Sequence, residues 1–220
     1  MKAGVIIVAA GRGSRLDSAL PKAFVPLGGK PLYQHSLAVF QGHPGIGEIV
    51  LVVPPESGLQ FLEGVQIVSG GRRRQDSVAA GLQALDPKHQ TVLIHDAARP
   101  FVSPALVDRL IAALKQGRNA IAALSVADTV KQVDGGKIVR TIDRQILRAA
   151  QTPQGFQLSV LREVLQEAEQ RGWEVTDEAM LLEKLNIPVY WVEGDPLNIK
   201  ITTKEDLRLG EIVYANRSRL

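Results

Sequence analysis

The sequence predicts an α/β fold in which a mostly parallel, Rossmann-like sheet carries helices on both faces. Three observations support this. Strand-sized apolar runs alternate with stretches of helical periodicity. The first run, Ala3 to Ala9, shows no polar alternation, as a strand covered on both faces requires. Two of the runs also end in glycines, at Gly11-Arg12-Gly13 and at Ser69-Gly70-Gly71.

In order, Ala3 to Ala9 is the first buried strand and leads straight into the Gly-Arg loop. Pro31 stands where a helix's first residue can lack its N–H, opening a helix with Leu32, Val39 and Phe40 on its apolar side. Gly42 to Gly47 ends that helix, Glu48 to Val53 forms the next strand, and Pro54-Pro55 stops it. Val65 to Val68 is a short strand. Asp76 or Ser77 is the expected cap of a helix whose Val78, Leu82 and Leu85 fall on one stripe. Thr91 to His95 is another buried strand, with Asp96-Ala97-Ala98-Arg99-Pro100 at its carboxyl end. Ser103-Pro104 caps a helix through Leu106, Leu110 and Leu114, and Ala120 to Val126 follows as a strand.

From Thr129 to Ile142 the pattern changes, because Val130, Val133, Ile138 and Val139 flank Asp134-Gly135-Gly136. That is a hairpin signal, and because a lone two-stranded ribbon is marginal in water the hairpin is expected to pack on something. After Thr152-Pro153-Gln154-Gly155-Phe156 a helix is expected to about Arg171, and a second runs from Thr176-Asp177-Glu178 to near Asn186. Pro188 to Val192 and Leu197 to Ile201 read as strands. A last helix is expected behind a Thr202 cap paired with Glu205, with Leu207 and Ile212 facing inward.

The 220 residues suffice for one sizeable core, so a single domain is expected over 1–220, with 128–150 set apart as a β-arm subdomain. The chain has no cysteine, which excludes disulfides and thiolate metal sites and suits a reducing compartment. Its apolar runs are too short for a membrane span, and the first strand starts too early for a signal peptide, so a cytoplasmic protein without membrane partners is expected. The net charge is +3, and the 26 basic residues are dispersed, which points to anionic small molecules rather than nucleic acid. His35, His43, His89 and His95 have no metal-ligand spacing and are assigned to structure or surface.

The opening loop fits neither well-known phosphate motif. Gly11-Arg12-Gly13-Ser14-Arg15-Leu16 lacks the third glycine of the dinucleotide fingerprint, and Gly28-Gly29-Lys30 is followed by Pro31 where a P-loop needs Ser or Thr. What remains is a turn whose N–H groups can converge on phosphate oxygens, with Arg15 and Lys22 supplying charge. An ordinary glycine-rich βα turn with solvated charges has the same pattern. Asp96 can likewise be read as a turn residue bonding its own backbone, or as a site acid at the end of a central strand. Arg72-Arg73-Arg74 reads as a solvated run or as a further grip on triphosphate.

The stretch Ala9-Ala10-Gly11-Arg12-Gly13-Ser14-Arg15-Leu16 with Pro21-Lys22-Ala23-Phe24 resembles the signature of sugar- and polyol-phosphate nucleotidyltransferases. Adding Gly70-Gly71, Asp76-Ser77-Val78, Asp96 to Pro100, Thr152-Pro153-Gln154, Thr176 to Ala179 and Asn198-Ile199-Lys200, the set resembles the 2-C-methyl-D-erythritol 4-phosphate cytidylyltransferases along nearly the whole chain. The resemblance implies a nucleotidyltransferase sheet that joins CTP to the polyol phosphate with loss of pyrophosphate, in the non-mevalonate isoprenoid pathway. It implies catalytic roles for Arg15, Lys22, Arg144 and Lys200. Ala9, Ala10, Gly11, Gly13, Ser14, Arg15, Lys22, Gly70, Gly71, Ser77, Asp96, Ala97 and Lys200 would bind the nucleotide. Asp96, Arg99, Thr129, Arg144, Thr152, Thr176 and Lys200 would bind the polyol phosphate.

Mg²⁺ or another divalent cation would be held mainly through CTP phosphates, with Asp96 as its protein ligand; Asp195 is not assigned to metal. The 128–150 arm would grip a second subunit, making a homodimer with a shared site. The competing readings are a ribitol 5-phosphate cytidylyltransferase and a catalytically inert nucleotide-binding module. A glycosyltransferase of similar fold would need an Asp-x-Asp motif, and the sequence has none.

Overall fold

A computed structural model describes residues 2–11, 13, 16, 18 and 20–217. Along the chain come β1 (Ala3–Val8), the short pair β2 (Pro26–Leu27) and β3 (Lys30–Pro31), α1 (Leu32–Gly42), β4 (Ile46–Val53), β5 (Gln66–Ser69), α2 (Arg74–Ala84), β6 (Thr91–Asp96) and α3 (Pro104–Lys115). They are followed by β7 (Asn119–Ser125), the pair β8 (Val130–Asp134) and β9 (Lys137–Ile142), β10 (Arg148–Gln157), α4 (Leu158–Gln170), α5 (Ala179–Lys184), β11 (Val189–Glu193) and α6 (Lys204–Asn216).

The main sheet has seven strands in the order β11-β7-β10-β6-β1-β4-β5. Every pairing in it is parallel except those of β10, which runs antiparallel to both β6 and β7. Successive side chains of a strand face opposite sides, and both sides of this sheet are covered. Val5 and Ile7 of β1, Ile49, Leu51 and Val53 of β4, and Leu93 of β6 pack with Leu37 and Phe40 of α1 and Leu106 and Leu110 of α3. Ile6, Val50, Val52, Val92 and Ile94 face the other way, onto Val78 and Leu82 of α2, Leu161 and Val164 of α4, and Leu181 and Leu182 of α5. The absence of polar alternation in these strands follows from that double burial.

The predicted hairpin is β8–β9. Gly135 and Gly136 take φ values of 50° and 82° in its two-residue turn, a geometry that favours glycine at both central positions. It is inserted between β7 and β10, whose ends meet at the Ser125–Arg148 pair, and its residues are mostly exposed.

Some elements differ from the sequence reading. β10 was not expected as a strand. Its Pro153 and Gly155 weaken a strand signal, and its ladder with β7 is irregular between Ala150 and Gln154, the kind of break where a strand proline is tolerated. Leu197 to Ile201 is not a strand. Side chains hold it instead: Asp195 accepts from the Leu197 N–H (2.9 Å), and the Asn198 amide donates to the Thr152 carbonyl (2.8 Å).

Helix α2 starts before the expected Asp76 or Ser77 cap. Arg73 occupies the cap position, and Asp76 folds back to accept its backbone N–H at 2.9 Å. Pro31 is the residue before α1 rather than its first. In α6 the box is Thr203 with Asp206, not Thr202 with Glu205, and Ile212 is 62% exposed, so only Leu207 of the expected pair packs inward.

Candidate functional site

The carboxyl ends of β1, β4, β5 and β6 open onto a cleft of about 780 Å³. This is where an open α/β sheet leaves a crevice for ligands. Its wall combines Ala9, Ala10 and Gly11 after β1, Pro54 to Glu56 after β4, Gly70 to Arg74 and Ser77 around the start of α2, and Asp96 at the end of β6. Lys22 and Lys200 also line it. Residues separated widely in the chain therefore meet because four parallel strands point the same way.

Two glycines are required by close approach. A Cβ on Gly70 would lie 2.3 Å from the Ala10 methyl carbon and 2.8 Å from Ser77 Oγ, so only glycine lets the β5–α2 turn close against the β1 loop. Gly13, at φ 65°, would place a Cβ 2.4 Å from Lys22 Cβ; its bare backbone is what the lysine stem packs against. Ser77 Oγ accepts the Gly71 N–H at 3.2 Å, which fixes the turn.

Asp96 is the electrostatic centre. Its Oδ2 accepts from Lys200 Nζ at 2.7 Å and its Oδ1 from Arg74 Nε at 3.0 Å. Arg74 Nη1 also donates to both oxygens of Glu178, at 2.6 and 2.8 Å, and Glu178 is fully buried. Burial opposes ionisation of Asp96, yet the Arg74 and Lys200 charges outweigh it and hold its carboxyl well below the usual range. Glu178 has one cation rather than two, and burial prevails over Arg74 there, lifting its carboxyl above the ordinary value. Burial opposes the charge on Arg74 as well, but Glu178 and Asp96 overcome it and secure its proton.

Behind Asp96 lies a buried relay. The Asp96 N–H donates to Thr152 Oγ1 at 3.0 Å, and the Thr152 hydroxyl meets His95 Nδ1 at 3.2 Å. His95 Nε2 reaches the Arg99 carbonyl at 3.1 Å, so that nitrogen carries the proton and Nδ1 accepts. Burial pushes this imidazole down to about 4, which makes it neutral and structural. Arg99 donates to the Asn198 and Ala150 carbonyls at 2.8 and 3.3 Å, tying the 195–200 loop to β10.

Of the expected site residues, Ala9, Ala10, Gly11, Lys22, Gly70, Gly71, Ser77, Asp96 and Lys200 share the cleft. Gly13, Ala97, Arg99 and Thr152 support it from behind or beside. Ser14 and Arg15 lie outside the described residues. Thr129 and Arg144 sit at the base of the exposed arm, where Arg144 donates to the Ala127 carbonyl, and neither lines the cleft of its own chain. Thr176 is exposed, two residues before Glu178, and is not on the cleft wall.

The sequence marks Arg74 only within the Arg72-Arg73-Arg74 run and Glu178 only within Thr176 to Ala179, and it assigns neither a tie to Asp96. A signal for Arg74 existed: four residues before the buried Val78, it falls on the inward stripe of α2, whereas Arg72 and Arg73 precede the helix.

No group of three or more His, Cys, Asp or Glu side chains that could hold a metal ion occurs among the described residues. Asp96 and Glu56 are the carboxylates that line the cleft, and one carboxylate is within what Mg²⁺ uses beside substrate phosphates. Among those residues no helix is long and apolar enough to cross a membrane.

Comparison with known proteins decides the family. A sequence model of the 2-C-methyl-D-erythritol 4-phosphate cytidylyltransferases matches residues 3–216. The chain belongs to this family. A cytidylyltransferase of that name from Geobacillus thermodenitrificans is 45% identical over 221 residues, covering 96% of both chains. A bifunctional enzyme IspD/IspF from Nitratidesulfovibrio vulgaris is 44% identical, and there the match covers 95% of this chain and 57% of the relative. Among solved structures, the family member from Thermus thermophilus superposes with a TM-score of 0.86 at 37% identity, covering 98% of this chain and 100% of that one.

Proposed function

We propose that the protein transfers the cytidylyl group of CTP to 2-C-methyl-D-erythritol 4-phosphate, giving 4-diphosphocytidyl-2-C-methyl-D-erythritol and pyrophosphate in non-mevalonate isoprenoid biosynthesis. The observation that carries this reading is the convergence of Lys22, Lys200 and Asp96 on one glycine-walled cleft in a chain of this family. A phosphate oxygen of the polyol phosphate attacks the α-phosphorus of CTP, forming the new P–O bond. The bond to the β-phosphate bridging oxygen breaks, and its electron pair leaves with pyrophosphate. The attacking phosphate monoester is already anionic near neutral pH, so no side chain has to act as a strong base. Positioning and charge neutralisation carry the rate, as in other phosphoryl transfers.

Lys22, packed against Gly13, faces the triphosphate. Lys200 is paired with Asp96 and 40% exposed at its side chain, so it can turn from that carboxylate to an incoming phosphate. The backbone around Gly70, Gly71 and Ser77 reads the cytosine edge. A bound Mg²⁺ would neutralise charge on the triphosphate oxygens, with Asp96 as its protein ligand.

The arm supplies the other half of the site in a homodimer. Val133, Ile138, Val139 and Ile146 are 57% to 77% exposed among the described residues of this chain. Covering them with a second subunit would bring Thr129 and Arg144 toward the partner's cleft; sedimentation velocity checks the assembly, and a monomer at micromolar concentration would exclude it.

The reaction is tested by pyrophosphate release from CTP with methylerythritol phosphate against ribitol 5-phosphate, and with UTP or ATP replacing CTP. Turnover is expected only with CTP and methylerythritol phosphate together. Faster release with ribitol phosphate would replace this substrate assignment, and no release with any pair would leave a nucleotide-binding module.

A further inference from the structure

Asp96 is gripped from two sides, and the two grips differ. Lys200 reaches Oδ2 on a partly exposed side chain, through one ammonium, from a loop. Arg74 reaches Oδ1 from the first turn of α2 and is itself pinned from behind by the fully buried Glu178. Breaking Arg74 away from Glu178 would leave a fully buried carboxylate without its cation, whereas releasing Lys200 leaves Asp96 still held by Arg74 and returns an ammonium to water. Arg74 Nη2 is buried and has no hydrogen-bond partner among the described residues.

We propose that Arg74 is a positioning residue for the reaction: anchored by Glu178, it holds Asp96 Oδ1 permanently and so leaves Oδ2 as the face that Lys200 gives up when the nucleotide arrives. The inference rests on the proposed cytidylyl transfer for its setting, and it adds a division of labour within the carboxylate. It also gives Glu178 a role: the acid never meets substrate but fixes the arginine that does the holding.

The experiment compares Arg74→Gln, Arg74→Lys and Glu178→Gln with the parent protein. The readouts are kcat and KM from pyrophosphate release, CTP affinity by calorimetry, and melting temperature to count folded molecules. Arg74→Gln is expected to lower kcat per folded molecule by about 10–100-fold, the usual effect of losing a group that orients a ligand-holding side chain, with a smaller loss of CTP affinity. Arg74→Lys restores charge at one point but cannot reach both carboxylates, so it should recover affinity more than kcat. Glu178→Gln should lower kcat in the same direction with Arg74 intact.

A purely structural arginine would lower the melting temperature and leave kcat per folded molecule unchanged in all three variants; that result overturns the proposal. If Arg74→Gln does not fold, Glu178→Gln decides alone. If the parent protein releases no pyrophosphate, the functional reading fails, and CTP affinity still decides the inference: equal affinity in the parent and the variants refutes it.

Discussion

Thr152→Val replaces one hydroxyl by a methyl group of the same shape, in a place where the hydroxyl serves two buried partners. Thr152 is 5% exposed, Asp96 8% and His95 fully buried. The substitution removes the acceptor of the Asp96 N–H (3.0 Å) and the donor to His95 Nδ1 (3.2 Å), and supplies nothing in return. A tautomer swap does not rescue the histidine, because it would turn an unprotonated Nε2 toward the Arg99 carbonyl at 3.1 Å. Each buried group left unpaired costs roughly 1–3 kcal/mol, so about 2–4 kcal/mol is expected after partial relaxation.

An unfolding entropy of ~2.1 cal/mol/K per residue, applied to this chain length, converts that loss into a melting temperature lower by about 4–9 °C. Urea unfolding and calorimetry of Thr152→Val beside Thr152→Ser are the assays, and serine, which keeps the hydroxyl, should retain most of the stability. A loss under about 0.5 kcal/mol for valine, within the scatter of ordinary surface changes, would refute the relay from Asp96 to His95 as a structural unit.

The same histidine predicts a pH dependence. Its folded pKa of about 4 lies below the usual value, so between about pH 4 and pH 6.5 the unfolded chain binds the extra proton and stability falls with falling pH. The expected loss from this group between pH 7.5 and pH 5 is about 2 kcal/mol, opposed by Glu178, whose raised carboxyl favours the folded state as pH falls; an NMR titration that finds the His95 imidazole protonating near pH 6.5 would mean that it is not buried neutral. Gly70→Ala should weaken CTP binding at least tenfold by calorimetry while costing roughly 1–3 kcal/mol of stability, the usual range for overpacking. Its methyl group would have to displace Ala10 or Ser77, and unchanged affinity would place the base elsewhere.

What could be read in the sequence follows from how local each cause is. β1, β4 and β6 were legible because burial on both faces makes every position apolar, whatever the neighbours are. The hairpin was legible because a two-residue turn needs positive φ, and Gly135-Gly136 provides it. β10 was not, because its strand state depends on being clasped between β6 and β7 and not on its own residues, among them Pro153, Gly155 and three glutamines. The cleft loops were visible as strand ends rich in glycine, and Asp96 as an acid at such an end. The ties that give Asp96 its character were not, since Lys200 lies 104 residues further along the chain, and Arg74 and Glu178 are likewise 104 residues apart. No periodicity or spacing rule reaches that far.

The position of the two cleft lysines has a common cause that neither motif displays. Lys22 lies on the chain between Leu16 and Val25, and Lys200 lies between Ile199 and Ile201; Leu16, Val25, Leu27, Leu32 and Ile201 form one small buried cluster with Ile199, Phe101, Leu207 and Tyr214 packed on it. Helix α6 closes this cluster. Its Glu211 carboxylate accepts the Gly28 N–H at 3.0 and 3.2 Å, and its Tyr214 ring lies so near Gly28 that a Cβ there would be 2.0 Å from it. The Ile201 N–H is meanwhile fixed to the Ala98 carbonyl at 2.8 Å, two residues past Asp96. Lysine side chains are long and flexible, and a site that depends on them gains geometry only if their backbones are held. Here both backbones rest on the same apolar cluster, and that cluster is stitched to the strand that presents the acid. Helix α6, which does not line the cleft, is therefore part of what sets the distance between the two lysine charges within it.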